Sequence, residues 1–97
     1  ADPANLVSVS AASVWEIAIK TALGKLDLPG DWYRYLDGEP FERLDVSREH
    51  AHAAGLLPDI HRDPFDRMLV AQAHAEGLTI VTRDRQIGLY GVPVLAA

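Results

Sequence analysis

The sequence predicts an α/β fold: a mainly parallel sheet with helices on both faces. Three observations lead there. Segments of apolar period two alternate with segments of helical period, in the order β-α-α-β-α-α-β-α-β. The run Leu78-Thr79-Ile80-Val81-Thr82 is rich in β-branched residues, lies between Gly77 and Asp84, and reads as a buried strand. The apolar share, 48% of 97 residues, suits one domain with one modest core.

Each element has a local reason. Leu6-Val7-Ser8-Val9-Ser10 alternates apolar and small polar residues and predicts a short strand. A helix is predicted from Ala11 to Leu26, with Trp15, Ile19, Ala22, Leu23 and Leu26 as its core stripe and Val14, Ile17 and Ala18 widening it. Gly24 weakens the end of that helix, and Pro29-Gly30 breaks the chain. Asp31 is placed to cap a short helix from Trp32 to Leu36, and Asp37-Gly38-Glu39-Pro40 is a turn. Phe41 to Val46 alternates as a strand. Ser47-Arg48-Glu49 opens a helix that runs to Ala54 or Leu57, ahead of Pro58. Asp63 to Glu76 forms the next helix, with Gly77 closing it. Arg85 to Tyr90 is a helical turn. Val92-Pro93-Val94-Leu95 is an edge strand, because Pro93 has no N–H to donate.

Composition narrows the function. The absence of cysteine excludes a disulfide framework and thiolate metal sites, and fits a reducing cytoplasm. No apolar run approaches the roughly 20 residues that span a bilayer. The opening Ala1-Asp2-Pro3-Ala4-Asn5 does not read as a signal peptide. A net charge of −5 argues against a surface that coats nucleic acid, but not against an enzyme that meets it through metal ions.

The acids are the candidate chemistry. Each has a local reading. Asp63-Pro64-Phe65-Asp66 is a good helix start, with Asp63 as N-cap, Pro64 at N1 and Asp66 favoured by the helix dipole. Ser13-Val14-Trp15-Glu16 matches a capping box, or Glu16 pairs with Lys20 one turn on. Asp84 can cap the helical turn after it. Taken together they suggest more. In an open α/β sheet ligands bind beyond the carboxyl ends of the strands, and Glu16, Asp66 and Asp84 are all expected at that rim. Two carboxylates about 5 Å apart repel by roughly 3 kcal/mol at an effective dielectric of about 20. Helix dipoles return only about 0.3–1 kcal/mol each. A tight cluster of three therefore calls for a hard divalent cation, Mg²⁺ or Mn²⁺, and such ions suit phosphodiester hydrolysis.

The stretches SVSAASVWEIAIK, DPFDRMLVAQAHAEGLTIVTRD and YGVPVL together resemble the PIN-domain family, and most closely its VapC-type toxins of bacterial toxin–antitoxin pairs. The resemblance covers nearly the whole chain. It implies a three-layer sandwich and a metal-dependent endoribonuclease. It also implies a Mg²⁺ or Mn²⁺ site lined by Glu16, Asp66 and Asp84, with the Thr82 hydroxyl helping to order it. Asp66 takes the family acid's place, and Asp63 is its rival. The implied partners are a VapB-type antitoxin, a transfer or ribosomal RNA substrate, and a second copy of the chain. One departure stands out. The family domain begins with a central strand that ends in an Asp ligand, and no residue here matches it; Asp2 precedes the first strand. The expectation is a PIN-like domain over residues 1–97, truncated at its N-terminus. It would close the gap by rearranging its strands or by pairing with another copy, and a silent binding or dimerisation module is the alternative function. A receiver-type phosphotransfer domain is less apt, since its nucleophilic Asp would also lie on the absent strand.

The remaining polar and aromatic residues have two readings each. Arg62, Arg67, Arg83 and Arg85 either hold RNA phosphates or neutralise the acids. His50, His52, His61 and His74 lack a ligand spacing and are expected at the surface. Trp15 is expected in the core, and Trp32, Tyr33 and Tyr35 at an interface.

Overall fold

A computed structural model describes residues 7–82 and 85–96. The chain divides after Asp45 into two compact units. The first holds strand β1 (Ser8–Ser10), helix α1 (Ala11–Ala22), helix α2 (Trp32–Gly38) and strand β2 (Glu42–Leu44). The second holds helix α3 (Arg48–Leu56), helix α4 (Pro64–Glu76), strand β3 (Ile80–Thr82), a 3₁₀ helix (Arg85–Tyr90) and strand β4 (Val94–Ala96). This is the predicted order. The strands pair two and two, both pairs parallel, as an α/β chain requires. Val9 lies opposite Arg43 in one pair, and Val81 opposite Leu95 in the other. Parallel neighbours need a crossover, and the helices supply it. No described helix is long and apolar enough to cross a membrane.

In the first unit, β1 ends in a cap. The Ser10 Oγ accepts the Ala12 N–H at 3.0 Å and starts α1. The helix ends four residues before the predicted Leu26. Gly24 takes a left-handed φ of 72° and donates to the Thr21 carbonyl at 3.1 Å, and the Lys25 N–H reaches the Lys20 carbonyl at 2.9 Å. This pair of bonds is a Schellman closure, so Gly24 is a terminator and not a weak interior residue. The predicted core stripe is also corrected. Trp15 is 64% exposed and Leu23 lies outside too, whereas Ala12 is buried and Val14, Ile17 and Ile19 are half-buried. The helix is apolar on two adjacent stripes, so periodicity alone left its rotational phase open. Asp31 stands at the start of α2 but makes no side-chain cap; its carbonyl accepts from Arg34 and Tyr35 instead. Arg43 on β2 pairs with Asp37 on α2, both well exposed, so the pair adds little stability.

The second unit is built on α3 against α4. Ser47 caps α3 through a reciprocal box: its Oγ accepts the His50 N–H at 3.0 Å, and the His50 Nδ1 accepts the Ser47 N–H at 3.0 Å. The expectation of a surface His50 is overturned, since it is 4% exposed. Its ring is covered because the box turns it inward, towards Gln72 and Glu76 of α4. Asp63 and Pro64 start α4 as predicted, and Gly77 closes it with a left-handed φ of 66°. Val70, Ala73, Ile87, Tyr90 and Val92 form the buried centre, with Leu57, Ile60, Leu78 and Ile80 packed around it. Before and at the start of β3, Leu78 and Ile80 are half-buried and Thr79 is exposed, so the described part of the predicted buried run is only half-covered. In a two-stranded sheet each strand has an open edge. Pro93 uses its carbonyl alone, accepting the Ile80 N–H at 2.9 Å.

Candidate active site

The N-terminus of α4 carries a connected polar arrangement. The Asp63 carboxylate accepts the Phe65 N–H at 2.8 Å and the Asp66 N–H at 3.4 Å, as an N-cap does. That engagement settles the local role of Asp63 as the cap. Asp66, one turn in, turns its Oδ2 to the His61 Nε2 at 3.2 Å. The side chains are 30% and 18% exposed, so the pair sits at the rim of the unit. His61 is itself anchored. Its Nδ1 accepts the Asp63 N–H at 3.2 Å. The Tyr90 hydroxyl accepts the His61 N–H at 2.7 Å and donates to the His61 carbonyl at 3.3 Å. A negative side chain in the first turn of a helix is also favoured by the helix dipole.

Glu16 lies in the other unit, on α1. Its Oε2 is 2.7 Å from the Lys20 Nζ, so the i,i+4 pair is the arrangement formed. The Ser13–Glu16 capping box is not, because α1 begins two residues earlier, at Ala11, and Ser10 caps it. Asp84 and Arg83 lie outside the described residues. Thr82 is the last residue of β3, and its backbone alone is described. Glu16 and Asp66 belong to separate units. Among the described residues, no three acids or histidines stand close enough together to hold a metal ion. The donors themselves suit a hard divalent cation: Glu16 and Asp66 are half-buried carboxylates in a chain without thiols.

Arg67 is corrected from a phosphate or acid partner to a structural clamp. Its Nη2 donates to the carbonyls of Ala54 (2.9 Å) and Leu57 (3.0 Å), and its Nη1 to those of Pro58 (3.0 Å) and His61 (3.3 Å). Arg62, by contrast, is exposed. Sequence reasoning missed His61 and Tyr90 as neighbours of the acid. Tyr90 is 29 residues from His61, a separation no local pattern reports.

Asp63 and Asp66 can be told apart. Asp63→Ala is expected to lower stability by about 1 kcal/mol in urea unfolding, the usual loss for an N-cap. Asp66→Asn should cost less, because Asp63 and Pro64 already secure the helix start. A larger loss from Asp66→Asn would reverse the two roles.

Paired parallel strands joined through helical crossovers describe an α/β chain, with an acid held at the start of α4. The family model described as the PIN domain matches residues 2–92, and the chain belongs to the PIN domain family. PIN domains are in general nucleases, commonly dependent on divalent metal. Neither the curated proteins nor the solved structures gave a significant match.

Proposed function

We propose that the chain is the nuclease domain of a VapC-like endoribonuclease toxin, with Glu16, Asp66 and Asp84 as ligands of Mg²⁺ or Mn²⁺ and Thr82 ordering the site. The observation that carries this reading is the PIN match over residues 2–92, which takes in all four residues. A bound divalent ion would activate water and offset phosphate charge. The protein's own part is to hold the acids and to meet the RNA backbone. Arg62, exposed just before α4, is the described arginine best suited to a phosphate. The proposed partners are structured transfer or ribosomal RNA, a VapB-type antitoxin and a second copy, in the cytoplasm. The exposed Trp15, Tyr33 and Tyr35 support a protein interface. The domain is read as one PIN-like unit of function.

A second reading has its own observation. Glu16 is engaged by Lys20, and that pairing favours a catalytically silent binding module. The two readings separate in one assay. The chain, alone and with a family-type acid-ended strand added ahead of Ala1, is incubated with structured RNA and Mn²⁺. The nuclease reading expects cleavage that Asp84→Asn, Asp66→Asn and a chelator each abolish. Cleavage indifferent to all three, or none in either version, would reject it.

A further inference from the structure

We propose that His61 is a positioning residue for Asp66: it fixes the Asp66 carboxylate in one orientation and thereby presets it for a divalent cation. The proposal rests on the metal reading of Asp66 given above.

The geometry begins at the backbone. Tyr90 is buried in the centre of the second unit, and its hydroxyl spans the N–H and the carbonyl of His61. The Arg67 Nη1 reaches the same carbonyl at 3.3 Å. The position of His61 is therefore set by two side chains from different elements, the 3₁₀ helix and α4. The ring is set next. Its Nδ1 accepts the Asp63 N–H at 3.2 Å, so in the neutral ring the proton sits on Nε2. That Nε2–H faces the Asp66 Oδ2 at 3.2 Å. A chain of bonds thus runs from the core, through Tyr90 and His61, to one oxygen of the candidate ligand. A carboxylate so held loses rotamer freedom before a ligand arrives, which is how outer hydrogen bonds tune metal affinity.

A purely structural role explains the pair less well. The start of α4 already has Asp63 as cap and Pro64 at N1. The His61–Asp66 pair lies at the rim, where such contacts add little stability. Removing the imidazole should therefore be felt at the carboxylate more than in the fold.

The test measures Mn²⁺ binding to the full chain by the electron paramagnetic resonance signal of free Mn²⁺, beside the thermal midpoint. Asp66→Asn is expected to lose binding. His61→Ala is expected to weaken binding about 10- to 100-fold, with Tm lowered by less than about 5 °C. His61→Gln, whose amide can donate, should recover most of the affinity. Nitrogen-15 NMR should show the Nε2–H tautomer in the wild type, and the His61 ring signals should move in Asp66→Asn. Wild-type affinity in His61→Ala, with binding lost in Asp66→Asn, overturns the positioning role alone. Wild-type affinity in Asp66→Asn overturns the metal reading beneath it. An Nδ1–H tautomer overturns the hydrogen-bond chain itself.

Discussion

Arg67→Ala is expected to destabilise the second unit by about 2–4 kcal/mol. One guanidinium serves four carbonyls, those of Ala54, Leu57, Pro58 and His61. Two of the acceptors, Ala54 and the C-cap Leu57, lie at the C-terminal end of α3, where the Ala54 carbonyl has only a long 3.5 Å bond from the Leu57 N–H besides Arg67. A cation there also meets the negative end of the helix dipole. Hydrogen bonds to charged groups contribute roughly 1.5–3 kcal/mol each when isolated. The four share one donor group and one of them is exposed, so water can replace part of the loss. Arg67→Lys keeps the charge but not the planar fork, and should recover no more than about half of the stability. Urea unfolding of the three proteins decides it. A loss below about 1 kcal/mol for the alanine variant would mean that the carbonyls are simply rehydrated.

His50→Ala follows, at about 2–3 kcal/mol. The imidazole makes three bonds and is itself nearly covered. It completes the capping box with Ser47, accepts from the Gln72 Nε2 at 3.3 Å and meets the Glu76 Oε1 at 2.9 Å. Because Nδ1 accepts the Ser47 N–H, the neutral ring carries its proton on Nε2, aimed at the Glu76 carboxylate. Alanine removes the acceptor of Gln72, a side chain only 1% exposed, and leaves a cavity between α3 and α4. His50→Gln places a residue type suited to the third helical position of a capping box and should cost only about 1 kcal/mol. Amide exchange at Ser47 reports the box directly, and faster exchange is expected in the alanine variant alone. Equal stability of the two variants would show that the box, and not the burial, is unimportant.

The elements that could be read were those specified within a few residues. Ser47 and Asp63 each sit where a helix needs an acceptor, and Pro58 and Gly77 sit where one must stop, whereas the cap at Ser10 stands three residues ahead of the Ser13 box that the sequence offers. The alternation of these signals predicted parallel pairing before any contact was known. Gly24 shows the limit. The same residue can weaken a helix or end it, and the left-handed φ that distinguishes the two belongs to the folded chain. Asp31 has the right residue type for a cap and still makes no side-chain bond.

The site divides in the same way. Glu16 and Asp66 stand out in the sequence because each is an acid on a helix that is otherwise largely apolar. Their partners do not stand out in the same way. Lys20 could be foreseen at one turn's distance, but the chain from Tyr90 through His61 to Asp66 joins residues up to 29 positions apart. By its position Arg67 suits either a phosphate or a neighbouring acid, and the closeness of α3 to α4 gives it other work.

By itself, then, the sequence determined the order of elements and the capped ends of α4, because these depend on residue type and short-range sterics. Which stripe of α1 faces inward, that His50 is covered, where the Arg67 guanidinium goes and what holds the Asp66 carboxylate were decided only by tertiary structure. Those outcomes depend on surfaces brought together from distant parts of the chain, where burial and hydrogen-bond geometry select among arrangements that local propensity leaves nearly equal in energy.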